Sequence, residues 1–428
     1  MIQEVLPVSR FSGTVTVPPD KSISHRAALF AALSEEESTI ENYSDAADPQ
    51  STLACLRQLG VSATQAGDRV VIRGVGRDGF TIPEQPLDCG NSGTTMRLLG
   101  GIVAGAGVSC TLTGDESLSA RTMKRIMDPL LEMGCRIRGR EGRFAPLTVD
   151  RHKGVKEISF PLPIASAQLK SAVLLAGLFG EKPTEVVEKV QSRDHTERLL
   201  GLRCEPSPAG TVIRSSREDV IPAQNYRIPG DFSAASFWLA AGSILAGSEL
   251  TLRNVGMNPT RTAALQILEE MGADFRVINQ RSEGREPVAD IEVRSAKLRA
   301  VKPDPSLVPN CIDELPILMV AMCFAGGSSV ISGAEELRHK ETDRLSAMEE
   351  ILRRAGASVE AKPDGLVIHG RTDFRPLGAE YPTWHDHRMA MSAAILASAS
   401  DKPSLIQGAE CTAISYPAFW DHLTFLSQ

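Results

Sequence analysis

Apolar and polar positions along the chain follow a pattern that recurs about every 70 residues: a segment apolar nearly all round, a short β-like run, an amphipathic helical stretch closing on Gly, and further β-like runs. The amphipathic members are STLACLRQLGVSA, MKRIMDPLLEMGCRI, HTERLLGLRCEP, RTAALQILEEMGADFRV and RLSAMEEILRRAGASVEA. Gly60, Gly134, Gly201, Gly272 and Gly356 stand where a helix C-terminus takes a residue tolerant of positive φ, and these helices are predicted on an outer layer. Ahead of each lies an Ala-rich segment: SHRAALFAALS, TTMRLLGGIVAGAG, AQLKSAVLLAGLFG, FSAASFWLAAGSILAG, LPILMVAMCFAGG and HRMAMSAAILASAS. A helix without a polar face belongs in the interior. Six such segments predict six units, three in residues 13–229 and three in 1–12 plus 230–428. The sixth unit stops after its second helix, in SYPAFWDHLTFLSQ, and the N-terminal EVLPVSRF is expected to supply its missing strand. The expectation is an α/β chain of two similar domains, joined by two strands at Ser12–Gly13 and Pro229–Gly230, with a ligand cleft between them.

Composition narrows the function. With 428 residues, 42% hydrophobic and 23% charged, the chain has ordinary globular content for two or three domains, which excludes disorder and collagen-like folding. Aromatics are only 5%, so the cores are expected to rest on small close-packed residues, without stacking platforms for single-stranded nucleic acid. A net charge of −7 argues against a generally basic face for nucleic acid or anionic membrane, so any anion site must be a local basic cluster. The longest apolar runs, Phe237 to Leu245 and Leu315 to Ala325, are too short to span a bilayer, and MIQEVLPVSRF does not read as a signal peptide; a cytoplasmic protein is expected. Eight scattered cysteines lack zinc or disulfide spacing, and Cys110 and Cys323 read as small buried hydrophobes.

The chemistry is expected at the starts of the apolar helices, all of which are polar: Lys21-Ser22-Ile23-Ser24-His25-Arg26, Gly90-Asn91-Ser92-Gly93-Thr94, Ser166-Ala167-Gln168, Gly230-Asp231-Phe232-Ser233, Ile312-Asp313-Glu314 and His385-Asp386-His387-Arg388. Helix N-termini with unpaired N–H groups attract anions, whereas ordinary N-capping explains Ser, Asp and Asn there but not Lys21, Arg26, Gln168 or Arg388. The loops GDESLSARTMKR, QSRDHTER, NPTRT and ELRHKETDR add basic residues, and Arg suits phosphate and carboxylate because its planar fork donates two parallel hydrogen bonds. Gly-Val-Gly at 74–76 lacks the rest of a dinucleotide fingerprint, no P-loop occurs, and adjacent His385-Asp386-His387 side chains diverge too much to read as a metal site.

PPDKSISHR, LDCGNSGTTMRL, GDESLSARTM, ASAQLKSA, SRDHTE, PGDFSAAS, NPTRT, IDELP, ELRHKETDRL and DHRMAM, running from residue 18 to residue 391, closely resemble the 5-enolpyruvylshikimate-3-phosphate (EPSP) synthase family in family order. Ser166-Ala167-Gln168 with SRDHTE resembles the class II branch. The resemblance implies two inside-out α/β barrel domains of three βαβαββ units each, the enolpyruvyl transferase fold. It implies transfer of the enolpyruvyl group of phosphoenolpyruvate to the 5-hydroxyl of shikimate 3-phosphate with release of phosphate, in the shikimate pathway to chorismate and aromatic amino acids. It implies no metal or organic cofactor, and glyphosate as an inhibitor in the phosphoenolpyruvate place. The expected partners are the two substrates, with no nucleic acid or membrane, and the expected state is a monomer.

Position by position, the resemblance implies that Lys21 meets both substrates and that Ser22 and Arg26 touch shikimate 3-phosphate. It gives Ser166, Ala167, Gln168 and Arg193 to the phosphate and ring of that substrate. Gly93, Arg121, Arg344 and Arg388 would grip phosphoenolpyruvate, with Asn91, Thr94 and His387 beside them. Asp313, Lys340 and Glu341 would surround the reacting centre, with Asp313 as base assisted by Lys21 and Glu341 as acid and then base. One feature departs: class I members carry a Lys near the C-terminus where this chain has Ile414-Ser415-Tyr416-Pro417. Two alternatives are weaker. Enolpyruvyl transfer to a UDP-sugar would call for a Lys-Asn pair and a loop Cys, where this chain has Lys21-Ser22 and no Cys in GDESLSARTM; a non-catalytic metabolite-binding protein would not need both Asp313 and Glu341.

Overall fold

The computed structural model describes all residues, Met1–Gln428. By their internal contacts these form two units, Met1–Pro18 with Pro229–Gln428, and Pro19–Ile228.

Two strands open the chain, β1 (Ile2–Val5) and β2 (Ser12–Thr16). Three repeats then make up Pro19–Ile228. The first is α1 (Lys21–Leu33), β3 (Glu37–Glu41), α2 (Ala47–Gln58), β4 (Ser62–Ala66) and β5 (Arg69–Arg73). The second is β6 (Leu87–Asp88), α3 (Gly93–Ala106), β7 (Cys110–Thr113), the short α4 (Glu116–Ala120), α5 (Lys124–Glu132), β8 (Arg136–Arg140) and β9 (Phe144–Asp150). The third is β10 (Ser159–Pro161), α6 (Ala167–Gly177), β11 (Thr184–Glu188), α7 (His195–Leu200), β12 (Cys204–Ser207) and β13 (Gly210–Ser215), followed by β14 (Asn225–Arg227). Three more repeats follow: α8 (Phe232–Ile244), β15 (Glu249–Gly256), α9 (Ala263–Glu270), β16 (Asp274–Glu283) and β17 (Glu286–Arg294); α10 (Leu315–Cys323), β18 (Gly327–Val330), α11 (Arg344–Arg354), β19 (Ser358–Lys362) and β20 (Gly365–Gly370); and β21 (Glu380–Tyr381), α12 (His387–Ser398), β22 (Ser404–Gln407) and α13 (Phe419–Leu426).

The six Ala-rich segments are the helices α1, α3, α6, α8, α10 and α12, buried along nearly their whole lengths. The glycines that close the outer helices all take positive φ, from 69° at Gly201 to 88° at Gly60, a conformation that side chains with a Cβ resist. Small residues let the buried helices approach closely. A Cβ at Gly101 of α3 would lie 2.4 Å from the Ala172 carbonyl of α6, and one at Gly105 would lie 2.9 Å from Ala176 Cα. The aromatic residues concentrate elsewhere, against α8, where Trp238 stacks on Phe419 at 5.4 Å and donates to the Tyr416 hydroxyl at 2.9 Å. Tyr416, at the place where class I members have their Lys motif, is therefore a core residue.

Within three of the six repeats the strands before and after the buried helix pair in parallel, β6 with β7, β10 with β11 and β21 with β22; a helix is long enough to carry the chain back for such pairing. The first and fourth repeats exchange this strand. β2 pairs in parallel with β15 and β14 pairs in parallel with β3, so the strand ahead of α1 belongs with the fourth repeat and the strand ahead of α8 with the first. The expected boundaries at Ser12–Gly13 and Pro229–Gly230 therefore shift: the β2 ladder keeps residues up to Pro18 with the C-terminal unit, and Pro229 lies in that unit too. In the fifth repeat the leading strand shrinks to a single bridge, Arg299 to Gly326. The sixth sheet is completed by the N-terminus, β1 pairing antiparallel with β22, although the strand begins at Ile2 and covers only the start of EVLPVSRF.

A chain of hydroxyls ties the first two repeats together. His25 Nδ1 lies 2.6 Å from Thr52 Oγ1, which lies 2.8 Å from Thr95 Oγ1, which donates to the Ser92 hydroxyl at 2.8 Å. His25 is fully buried, and burial first, then the charges of Lys21 and Arg26, hold its imidazole well below the ordinary 6.5. The folded state thus keeps it neutral, whereas the unfolded chain takes up a proton below about pH 6.5, so this site favours folding above that pH and the advantage is lost as the pH falls. Urea unfolding of the wild type is expected to show stability falling below pH 6.5 by about 1.4 kcal/mol per pH unit more steeply than His25→Asn. Equal slopes in the two proteins between pH 5 and 6.5 would refute a neutral buried His25.

Candidate active site

In Pro19–Ile228 the candidate residues fall at the N-terminal ends of α1, α3 and α6. Asp20 caps α1 by accepting from the Ile23 N–H at 2.8 Å, which sets Lys21 at the first helical position. Lys21 Nζ pairs with Asp48 Oδ2 at 3.0 Å. One turn on, buried Arg26 donates to Thr196 Oγ1 at 2.8 Å, to Ser171 Oγ at 3.1 Å and to the Ser22 carbonyl at 3.0 Å. Ser166 caps α6, Ala167 opens it, and Gln168 follows, its Nε2 donating to Thr94 Oγ1 at 2.9 Å. Arg121, just past α4, donates to Asn91 Oδ1 at 2.9 Å and to Ser117 Oγ at 3.1 Å. A Cβ at Gly93 would lie 2.7 Å from Arg97 Nη1 and 3.5 Å from Arg121 Nη1, so two guanidinium ends face this glycine. Arg193 is half-buried in the segment between β11 and α7, beside Ser192.

In the other unit the candidates surround one arginine. Arg344, 1% exposed at the start of α11, donates to Asp386 Oδ2 at 2.8 Å, to Glu341 Oε2 at 2.6 Å and to Asp313 Oδ1 at 3.2 Å. Burial opposes its charge, but the carboxylates of Asp386, Glu341 and Asp313 outweigh that and hold its pKa above the ordinary value. Lys340 Nζ approaches Asp313 Oδ1 at 3.3 Å, Arg388 Nε lies 3.9 Å from the same oxygen, and Arg388 Nη1 donates to the Asp313 carbonyl at 2.7 Å. Five of the residues expected around the reacting centre and its anion, Asp313, Lys340, Glu341, Arg344 and Arg388, thus form one ionic cluster. His387 is buried at the first position of α12.

The starts of the buried helices differ in what they offer an anion. Asp20, Asp231 and Asp386 each accept a backbone N–H at their own helix start, so a carboxylate already answers the helix dipole there. At α3 and α6 the caps are the neutral hydroxyls of Ser92 and Ser166, and there a negative ligand meets no opposing charge from the cap.

Asp313 and Glu341 on the buried Arg344 guanidinium, with Lys340 against Asp313, suit proton transfer, and the neutral-capped starts of α3 and α6, beside Arg97 and Arg121, suit binding of phosphorylated or carboxylated groups. The fold is that of an enolpyruvyl transferase: the enolpyruvyl transferase NikO from Streptomyces tendae superposes with a TM-score of 0.77 over 99% of this chain and 97% of its own, at 17% identity. An EPSP synthase from Acinetobacter baumannii superposes with a TM-score of 0.87 at 37% identity, covering 99% and 98%. The 3-phosphoshikimate 1-carboxyvinyltransferases of Salinibacter ruber and Gloeobacter violaceus are 47% and 48% identical, the first over 100% of both chains and the second over 99% of this chain and 98% of its own. A family model for EPSP synthase (3-phosphoshikimate 1-carboxyvinyltransferase) matches residues 5–423, and the chain belongs to that family.

Several residues outside the expected substrate contacts support these side chains. Asp48 and Asp386 are the partners of Lys21 and Arg344, and Arg97 is hydrogen-bonded to Gln168 at 2.6 Å. Lys170 is fully buried in α6 and pairs with Glu188 at 3.0 Å and Glu197 at 2.6 Å. Glu188 also accepts from the Ser192 N–H at 2.8 Å, which anchors the segment carrying Arg193. A signal was available: a single Lys in an otherwise apolar helix calls for buried partners. Burial pushes the Glu197 carboxyl upward against the pull of Lys170, while Lys170 itself, although burial opposes its charge, is held above its ordinary value by the two glutamates. Lys170→Met leaves two buried carboxylates without their cation and is expected to cost about 3–5 kcal/mol in urea unfolding. Adding Glu188→Gln and Glu197→Gln to it is expected to recover part of that loss; a triple variant less stable than the single would show that charge compensation is not what the cluster provides.

Proposed function

We propose that this chain transfers the enolpyruvyl group of phosphoenolpyruvate to the 5-hydroxyl of shikimate 3-phosphate, releasing phosphate, as a monomeric enzyme of the cytoplasm. The observation that carries the reading is the ionic cluster on Arg344, in which the two carboxylates needed for proton transfer, Asp313 and Glu341, share one buried cation in a chain that matches the EPSP synthase family almost end to end. Eight cysteines, none in a disulfide, support a reducing compartment.

The two substrates bring two phosphates and two carboxylates, and their approach in a water-poor site requires fixed cations. In this reading Lys21, Ser22, Arg26, Ser166, Ala167, Gln168 and Arg193 hold shikimate 3-phosphate. Arg121, Arg344 and Arg388 hold phosphoenolpyruvate beside Gly93, Asn91, Thr94 and His387.

In the addition step the 5-hydroxyl oxygen bonds to C2 of phosphoenolpyruvate. Asp313, assisted by Lys21, accepts the hydroxyl proton, and Glu341, with Lys340 nearby, donates a proton to the methylene carbon to give a methyl group. In the elimination step Glu341 takes a proton back from that methyl, the C–C double bond re-forms, and phosphate leaves with the electron pair of its C–O bond. The salt bridge from Glu341 to Arg344 fixes the carboxyl on the first turn of α11, and the Lys340 and Arg344 contacts fix Asp313. Arg344 then both orients the carboxylates and faces the anionic substrate, a double duty that Lys could not perform with a single point charge.

Assay of phosphate release from the two substrates tests the reading directly. Asp313→Asn and Glu341→Gln are each expected to lower kcat by about 10²–10⁴-fold with smaller changes in KM, whereas Arg121→Ala is expected to raise KM for phosphoenolpyruvate. Near wild-type turnover in both carboxamide variants would reject the assignment. Gly93→Ala is expected to weaken glyphosate relative to phosphoenolpyruvate by roughly tenfold or more, because the methyl presses on Arg97 Nη1 and shortens the space for the longer molecule. An unchanged ratio of glyphosate inhibition constant to phosphoenolpyruvate KM would remove the steric argument.

A further inference from the structure

Arg97 lies one turn beyond Gly93 on α3, and its guanidinium is folded back over the start of that helix: a Cβ on Gly93 would stand 2.7 Å from Nη1 and 3.5 Å from Cζ. From there Nη1 donates to Gln168 Oε1 on α6 at 2.6 Å, and Gln168 Nε2 donates to Thr94 Oγ1 at 2.9 Å. A guanidinium has only donors, so it can meet the oxygen of the Gln168 amide and not the nitrogen. That choice turns the NH₂ toward Thr94. The Thr94 oxygen accepts from it, and the Thr94 proton is left to donate in turn.

We propose that Arg97 is a positioning residue for shikimate 3-phosphate: it locks the Gln168 amide in the orientation that presents donors, and only donors, to the phosphate. This deepens the functional reading above and rests on it. In the reversed orientation Gln168 would present a carbonyl oxygen to an anion, which repels it. Without Arg97 the two amide orientations are no longer separated by a charge-assisted hydrogen bond, and part of the binding free energy is spent selecting one of them. The Gly93 side of the site contributes as well. Its missing Cβ is what lets the guanidinium lie against the helix within reach of Gln168.

The test is a double-mutant cycle on shikimate 3-phosphate affinity, measured by calorimetry without phosphoenolpyruvate, with wild type, Arg97→Met, Gln168→Ala and the double variant. Arg97→Met and Gln168→Ala are each expected to weaken binding on the order of tenfold, and the double variant to bind no more than about twofold more weakly than Gln168→Ala alone. Losses that multiply in the double variant would overturn the proposal, since Arg97 would then act without Gln168; so would unchanged affinity in Arg97→Met. Arg97→Lys keeps a donor for the amide oxygen and is expected to stay within about threefold of wild type, which guards against reading a folding defect in Arg97→Met as a loss of positioning. Affinity as low in Arg97→Lys as in Gln168→Ala, with an unchanged thermal midpoint, would also overturn it. A wild type that binds shikimate 3-phosphate but releases no phosphate from it with phosphoenolpyruvate would sink the functional reading while leaving the cycle readable; multiplicative losses in an active enzyme sink the positioning role alone.

Discussion

A charge cannot leave water cheaply unless an opposite charge or a full set of hydrogen bonds goes with it, and both units of this protein are organised by that requirement. In one, Arg344 is almost wholly removed from solvent and draws Asp386, Glu341 and Asp313 onto its guanidinium. In the other, Lys170 draws in Glu188 and Glu197, and Arg26 collects the hydroxyls of Thr196 and Ser171 and the Ser22 carbonyl. Each cluster joins elements distant in sequence: Arg344 connects the first turn of α11 to the cap of α12, and Lys170 connects α6 to the end of β11 and to α7. The same contacts that satisfy buried charge therefore place the groups proposed to meet substrate.

The repeat supplies the frame for these clusters. A buried helix with small residues on every face can pack against its neighbours closely, as Gly101 and Gly105 of α3 do against α6, and its N-terminal end then sits at a fixed height. That rigidity lets single residues at the first turn, such as Lys21, Gly93, Gln168 and Arg388, be placed by the backbone rather than by long flexible loops. The identity of the cap decides what a helix start can do. Aspartate caps on α1, α8 and α12 use the helix dipole internally, and serine caps on α3 and α6 leave it for a negative ligand. The first group instead carries its proposed substrate contacts in side chains one or two positions further on, such as Lys21 and Arg388.

The hydrophobic pattern alone determined a good deal: six buried helices, the outer helices closed by left-handed glycines, and a sixth repeat completed from the N-terminus. These follow from local periodicity and from the steric freedom of glycine, and both can be read within a dozen residues. The family motifs likewise marked Asp313, Glu341, Lys340, Arg344 and Arg388 before their cluster was visible. Tertiary structure decided which strand goes with which repeat and which partner goes with which charge. The exchange of β2 and β14 between the first and fourth repeats depends on hydrogen bonding between strands far apart in sequence. Asp48 beside Lys21, Asp386 beside Arg344, and Arg97 turned back over Gly93 onto Gln168 are likewise outcomes of packing, because an isolated polar residue carries no mark of the group it will meet once water is excluded.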